Sequence, residues 1–328
     1  MADWNADELG DGYEQHSIAL GVDPDGEGAI EATLVRRTPP TSVEAVVLYV
    51  HGFSDYFFQR ELADFFTDRG MAFYALDLRK CGRSRREGHT GHYVSDLQLY
   101  DVELNRALAI IRKETGNKPV VLAAHSTGGL ILPLWLDRLN RRSGGTKSAG
   151  IAGLILNSPW FDLQGSPLIR TVGTQAIAAV ARVKPKGIIK APASDAYGMS
   201  LHVSGHGEWE FNTAFKPLDG FRVTYGWLTA IRRGHAALHK GLDIGVPSLV
   251  LRSTKSKFAA TYSAAVDDAD AVLDVKQIAR WAGCLGDSVT SMPIAGARHD
   301  VFISQDEARK ASYAAVDTWL RHSSLIPA

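Results

Sequence analysis

Ser126 is the residue whose setting most directly implies chemistry. It stands in Val120-Val121-Leu122-Ala123-Ala124-His125-Ser126-Thr127-Gly128-Gly129-Leu130, a buried-strand pattern that breaks at a serine and resumes at helical spacing. A strand that turns abruptly into a helix holds the side chain at the turn in a strained, exposed position above the sheet. Small residues must follow, because helix and strand backbones approach closely there, and Gly128 and Gly129 meet that need. The usual pattern is Gly-x-Ser-x-Gly; here Ala124 replaces the first glycine and is small enough to serve. A serine hydroxyl becomes a competent nucleophile only when a base takes its proton and donors hold the oxyanion that follows.

The surrounding elements must position those partners. Short apolar runs alternate with amphipathic helical stretches. His16–Val22 and Ile30–Arg37 alternate like strands around the turn Asp23-Pro24-Asp25-Gly26. Ala45–Val50 is a continuous β-branched run of the kind a covered central strand shows. A helix over Phe57–Arg69 and a strand over Ala72–Leu76 follow. Leu97–Thr115 has helical spacing and stops at Gly116. Val120–Ala124, Thr127–Asn140 and Ala152–Leu156 continue the rhythm as strand, helix and strand. Such alternation predicts a mostly parallel sheet covered by helices on both faces. From Phe161 to about Leu242 the rhythm breaks into a stretch rich in glycine, proline and aromatics. It resumes at Val246–Leu251, Ser288–Pro293 and a helix near Glu307–Arg321. The expected organisation is a core over 1–160, a cap or lid insertion over 161–242, and the rest of the core over 243–328.

In a nucleophile–acid–base chain order, the base should follow the last core strand. His299, in Ile294-Ala295-Gly296-Ala297-Arg298-His299-Asp300, is the one histidine of eleven on the loop between that strand and the terminal helix. His125 belongs to the elbow and His51 to another loop. The acid is less determined. Arg252–Lys257, after the penultimate strand, holds no carboxylate, and Asp267, Asp268, Asp270 and Asp274 come next. Asp270 opens an Asp-x-apolar-apolar-Asp pattern leading into a helix and is preferred; Asp268 and then Asp162 are the alternatives. Oxyanion donors are expected from the amide of Thr127, at a helix N-terminus, and of Phe53, after Tyr49-Val50-His51-Gly52.

Composition excludes other classes. Lysine plus arginine and aspartate plus glutamate both number 36, so the net charge is zero and no broad basic face for nucleic acid is expected. A local basic patch around Arg79, Lys80, Arg83, Arg85 and Arg86 stays open. The two cysteines, Cys81 and Cys284, make neither a disulfide framework nor a zinc site. The acidic first ten residues do not read as a signal peptide, and no apolar run is long enough to span a bilayer. A cytoplasmic protein without stable membrane insertion is expected; the oligomeric state is not determined. His202, His206 and Glu208 have ligand chemistry, but their glycine-rich setting reads as a polar loop.

His51-Gly52-Phe53, Glu87-Gly88-His89-Thr90-Gly91-His92-Tyr93-Val94, His125-Ser126-Thr127-Gly128-Gly129, Leu156-Asn157-Ser158-Pro159 and Gly296-Ala297-Arg298-His299-Asp300 together resemble the monoacylglycerol lipase and lysophospholipase branch of α/β hydrolases. The likeness spans roughly residues 30–160 and 245–325. It implies an α/β-hydrolase fold and an esterase with Ser126 as nucleophile, His299 as base and Asp270 as acid. It also implies an oxyanion hole at Phe53 and Thr127, with no metal or organic cofactor. In that family the acid follows its strand directly in Gly-Ser-x-Asp; here the Gly-Ser is replaced and about a dozen extra residues precede Asp270, which implies a remodelled site wall. The 161–242 stretch does not match. A peptidase, amidase or thioesterase would use the same triad, whereas a non-catalytic binding module would have lost one of its members. Tyr56, Trp160 and Phe161, with Phe57, Phe58, Trp209 and Phe211, could line an acyl pocket or pack the insertion onto the core.

Overall fold

The computed structural model describes residues 2–165, 173–190 and 194–326. Among them one sheet holds β1 Asn5–Ala6, β2 Tyr13–Val22, β3 Ala29–Arg37, β4 Ala45–Val50, β5 Met71–Asp77, β6 Val120–His125, β7 Ile151–Asn157, β8 Ser248–Ser253 and β9 Val289–Ile294. The strand order is β1-β2-β3-β5-β4-β6-β7-β8-β9. The first three strands and the β3–β5 pair are antiparallel; every pairing from β5 to β9 is parallel. The helices are α1 Arg60–Thr67, α2 Asp101–Glu114, α3 Gly128–Asn140, α4 Gly145–Ser148, α5 Thr174–Ala181, α6 Ala196–Leu201, α7 Tyr225–Leu238, α8 Val275–Trp281 and α9 Asp306–His322. This is the mostly parallel, helix-covered sheet that the sequence rhythm predicts.

The reason is visible in β4, all of whose residues are buried. Successive side chains of a strand point to opposite faces. Val46, Leu48 and Val50 therefore join a core with α2 and α3, while Ala45, Val47 and Tyr49 join a second core with α1 and α9. Truncating Leu48 to alanine would cost about 2–5 kcal/mol through lost burial and a cavity.

Two details depart from the sequence reading. The first helix begins at Arg60 rather than Phe57, because the Phe57 amide donates to Asp77 Oδ1 and its carbonyl accepts from Arg83, holding that stretch out of a helix. The basic patch dissolves: Arg79 pairs with Glu103, Lys80 with Asp23 and Glu27, and Arg83 with Asp7 and Asp77, all buried. Between β7 and β8 the chain leaves the sheet and carries α5, α6 and α7; residues 166–172 and 191–193 of that stretch lie outside the described residues. No helix of the described residues is long and apolar enough to cross a membrane.

Candidate active site

From β4 the chain goes to β5 on one side and later to β6 on the other. Connections that leave neighbouring strands in opposite directions open a crevice at the strand carboxyl ends, where ligands bind in open α/β sheets. Ser126 follows β6 directly, with φ of +52°, a conformation that a side chain other than glycine's rarely adopts. It is held there because its amide donates to Asn157 O at 3.0 Å and its carbonyl accepts from Gly129 N at 2.9 Å and Trp160 N at 3.0 Å. The turn tolerates nothing larger around it. A Cβ on Gly128 would lie 2.6 Å from His51 O, and one on Gly52 would lie 2.9 Å from Ser126 Cβ.

The fold brings three of the expected residues into one line. Ser126 Oγ lies 3.0 Å from His299 Nε2, and His299 Nδ1 lies 3.0 Å from Asp270 Oδ2. All three are buried. Asp270 Oδ1 accepts from the amides of Val272 at 2.8 Å and Leu273 at 2.7 Å, so both carboxylate oxygens are engaged and fixed. An ionised Asp270 accepts, so the proton on Nδ1 is the donated one and Nε2 is free to accept from the serine hydroxyl. The other carboxylates are elsewhere. Asp268 is half-exposed and pairs with Lys255, and Asp162 pairs with Arg232.

The loop after β4 is aimed by His51. The Leu78 amide donates to His51 Nε2 at 3.1 Å, so Nδ1 carries the proton and donates to Gly52 O at 2.7 Å. In a planar trans peptide the carbonyl and the next N–H point in opposite directions. Fixing Gly52 O therefore turns the Phe53 amide away from His51. Among the described residues neither the Phe53 amide nor the Thr127 amide donates a hydrogen bond, and both residues line the cavity that holds Ser126.

That cavity is about 410 Å³. Its walls are largely apolar, with Phe53, Trp160, Val223, Trp227, Val272 and Leu273. One corner is polar, and no sequence signal marked it. Asp55 Oδ2 accepts from His125 Nδ1 at 3.0 Å, and Asp55 Oδ1 receives Lys216 Nζ from the insertion at 2.7 Å. Burial opposes ionisation of Asp55, yet the Lys216 ammonium and the His125 bond hold its carboxyl well below the usual range. The corner adjoins His299: the His125 and Tyr197 rings lie 4.7 and 5.4 Å from its ring. His125 Nε2 and Tyr197 Oη are buried with no hydrogen-bond partner among the described residues.

Of the residues expected in a substrate pocket, Trp160 and Phe211 line this cavity, whereas Tyr56 and Phe161 do not. Phe161 is buried in the main core. Tyr56 packs on Phe58 and Phe215, accepts from the Asn212 amide at 2.7 Å, and faces a separate cavity with Phe58, Trp209 and Phe211. Aromatic area was better used to seat the insertion on the core, and Phe57 belongs to the core beside α1. His202, His206 and Glu208 turn to separate partners, Ser204, Tyr262 and Arg309.

The family model described as Hydrolase_4, serine aminopeptidase S33, matches residues 41–306. The chain belongs to this S33 serine hydrolase family. Solved structures share the fold at low identity. A soluble variant of monoglyceride lipase from Saccharomyces cerevisiae, in complex with a substrate analog, is 16% identical with a TM-score of 0.68, covering 98% of this chain and 99% of its own. The monoacylglycerol lipase of Paleococcus ferrophilus is 19% identical with a TM-score of 0.60, covering 90% and 99%. A thermostable carboxyl esterase from Bacillus coagulans, in complex with glycerol, is 15% identical with a TM-score of 0.61, covering 94% and 98%. No curated protein matches the chain. Membership of the S33 family makes this chain an enzyme, a serine hydrolase on the α/β-hydrolase fold.

Proposed function

We propose that this S33-family hydrolase is a carboxylesterase of the monoacylglycerol lipase type, acting on a small-molecule ester through an acyl-enzyme on Ser126. The observation that carries the reading is the hydrogen-bonded line Ser126–His299–Asp270, with 3.0 Å at each step, opening into an apolar cavity. Ser126 Oγ attacks the ester carbonyl as His299 Nε2 takes its proton, and Asp270 orients and stabilises the imidazolium. The Phe53 and Thr127 amides hold the oxyanion. His299 then gives its proton to the departing alcohol oxygen. Water repeats the sequence: His299 takes its proton, hydroxide adds to the acyl carbon, and Ser126 leaves with the proton returned.

The polar corner favours an ester over an N-terminal peptide. A free α-amino group calls for an unspent carboxylate. Asp55, the buried carboxylate at this corner, is engaged by Lys216 and His125. Because His299 protonates the leaving oxygen, groups around its ring neighbour the alcohol. Lys216 and Tyr197 can donate there and His125 Nε2 can accept, which suits an alcohol bearing further hydroxyls, with the acyl chain on the apolar walls. The likeness to monoglyceride lipases supports the same class. Residues 161–242 act in this reading as a cap that supplies Lys216 and Tyr197. The unpaired thiols of Cys81 and Cys284 suit the cytoplasm.

The test is labelling by a fluorophosphonate, abolished in Ser126→Ala, followed by turnover of p-nitrophenyl and monoacylglycerol esters beside aminoacyl anilides. Esters are expected to be the better substrates by kcat/KM. Faster cleavage of the anilides would overturn the ester reading.

A further inference from the structure

The stretch between β8 and Asp270 is about a dozen residues longer than the resemblance implies, and its geometry explains how the acid survives the extra residues. Beyond β8 the chain runs on to Ser256, which pairs with Asp270 in a single parallel bridge. The Asp270 amide donates to Lys255 O at 2.9 Å, and the Lys257 amide donates to Asp270 O at 2.8 Å. Ser256 Oγ closes the base further, donating to Leu273 O at 2.7 Å and accepting from the Val275 amide at 3.0 Å. The loop 258–269 thus leaves and re-enters the fold at one stapled point. The acid is held by the staple, and the loop is available for another task.

The loop is itself tied down. Asp267 accepts from Arg298 at 2.8 Å, beside the base, and from Tyr262 Oη at 2.8 Å. The Tyr262 ring stacks on His206 of the insertion at 3.8 Å, and Ser194 Oγ donates to Ala259 O at 2.8 Å. Held in this way, Phe258 and Ala259 form part of the wall of the same cavity as Ser126, continuing the apolar face of Val272 and Leu273. Phe258 is 50% exposed, so it stands where the cavity meets solvent.

We propose that loop 258–269 is a chain-length selector, with Phe258 the side chain that stops the bound acyl group. This rests on the reading of the apolar walls as an acyl site. The cavity is about 410 Å³, and Phe258, a half-exposed ring on its wall, stands where further methylenes would run past it towards solvent. Each methylene that gains burial is worth about fourfold in kcat/KM.

The experiment compares wild type, Phe258→Ala and Phe258→Trp on p-nitrophenyl esters of graded acyl length, and on fluorophosphonates of graded alkyl length. F258A should move the optimum to longer chains by two or more methylenes, raising the long-to-short kcat/KM ratio by at least about tenfold; F258W should move it to shorter ones. The pH profile and thermal midpoint should stay as in wild type. An unchanged length profile in both variants overturns the proposal. If wild type cleaves no ester but the fluorophosphonate length preference shifts in the variants, the selector stands and the ester reading falls. Absence of both labelling and hydrolysis in wild type sinks both.

Discussion

The side-chain amide of Asn157 donates to Asp300 Oδ1 at 2.5 Å, tying the strand beside Ser126 to the loop that carries His299. Asn157 is the last residue of β7, and its carbonyl accepts from the Ser126 amide at 3.0 Å. Its Oδ1 accepts from the Val301 amide at 3.0 Å, and Gln59 takes the second oxygen of Asp300. One residue thus fixes the distance between Ser126 and His299 without touching substrate.

Asn157→Ala should therefore lower kcat with little change in KM, by up to about a hundredfold, the penalty of a misplaced catalytic group. The exchanged pair Asn157→Asp with Asp300→Asn restores a carboxylate–amide bond and should recover part of the loss. Steady-state kinetics of the two variants check this. Equal damage in the exchanged pair and the single variant would mean the residue acts only through packing.

Asp270→Asn should cost about 10⁴ in kcat, because an amide no longer fixes the His299 tautomer. Asp268→Asn, removing only the half-exposed pair with Lys255, should leave kcat unchanged. Comparing the two on one ester separates the acid from its neighbour.

Lys216→Met leaves Asp55 buried without its cation. Unfolding in urea should then show a loss of about 3–5 kcal/mol, the cost of breaking a buried pair from one side. Asp55→Asn combined with Lys216→Met removes both charges and should recover most of that stability. The double variant should still discriminate poorly among alcohol leaving groups, since the donor at the polar corner is gone.

His235 predicts the acid side of the stability curve. Arg232 donates to its Nδ1 at 3.0 Å, and its Nε2 donates to Trp160 O at 2.9 Å, so both nitrogens are committed in the neutral form. Burial, and then the Arg232 charge, push its pKa from 6.5 down to about 3. A histidine depressed in the folded state binds protons more readily when unfolded, so stability rises with pH between those values and falls as pH drops from about 6.5 toward 3. The slope should be on the order of 1 kcal/mol per pH unit. Urea unfolding at pH 7, 6 and 5 should show it in wild type and lose it in His235→Gln. Asp55, depressed instead, contributes stability above the usual carboxylate range that is lost only at lower pH.

Much of this molecule was legible in its sequence. Strand positions followed from runs such as Ala45–Val50, because a strand covered on both faces must be apolar throughout. The elbow followed from Ser126 with Gly128 and Gly129, because only small residues fit where backbones cross. His299 followed from its place after the last strand. These are local demands, and local residue types answer them.

Other features were decided only by tertiary structure. That Asp270 and not Asp268 reaches His299 depends on the staple at Ser256, a contact between segments whose intervening loop has no length rule. The charges of Asp55 and Lys216 meet across 161 positions, and that buried pairing leaves no periodicity or motif to read. Tyr56 and Phe161 were indistinguishable from Trp160 in sequence, since an aromatic ring serves a cavity wall and a core equally well. Ser126 could be named from its neighbours; the shape and charge of the space above it came from residues the chain had to fold to bring near.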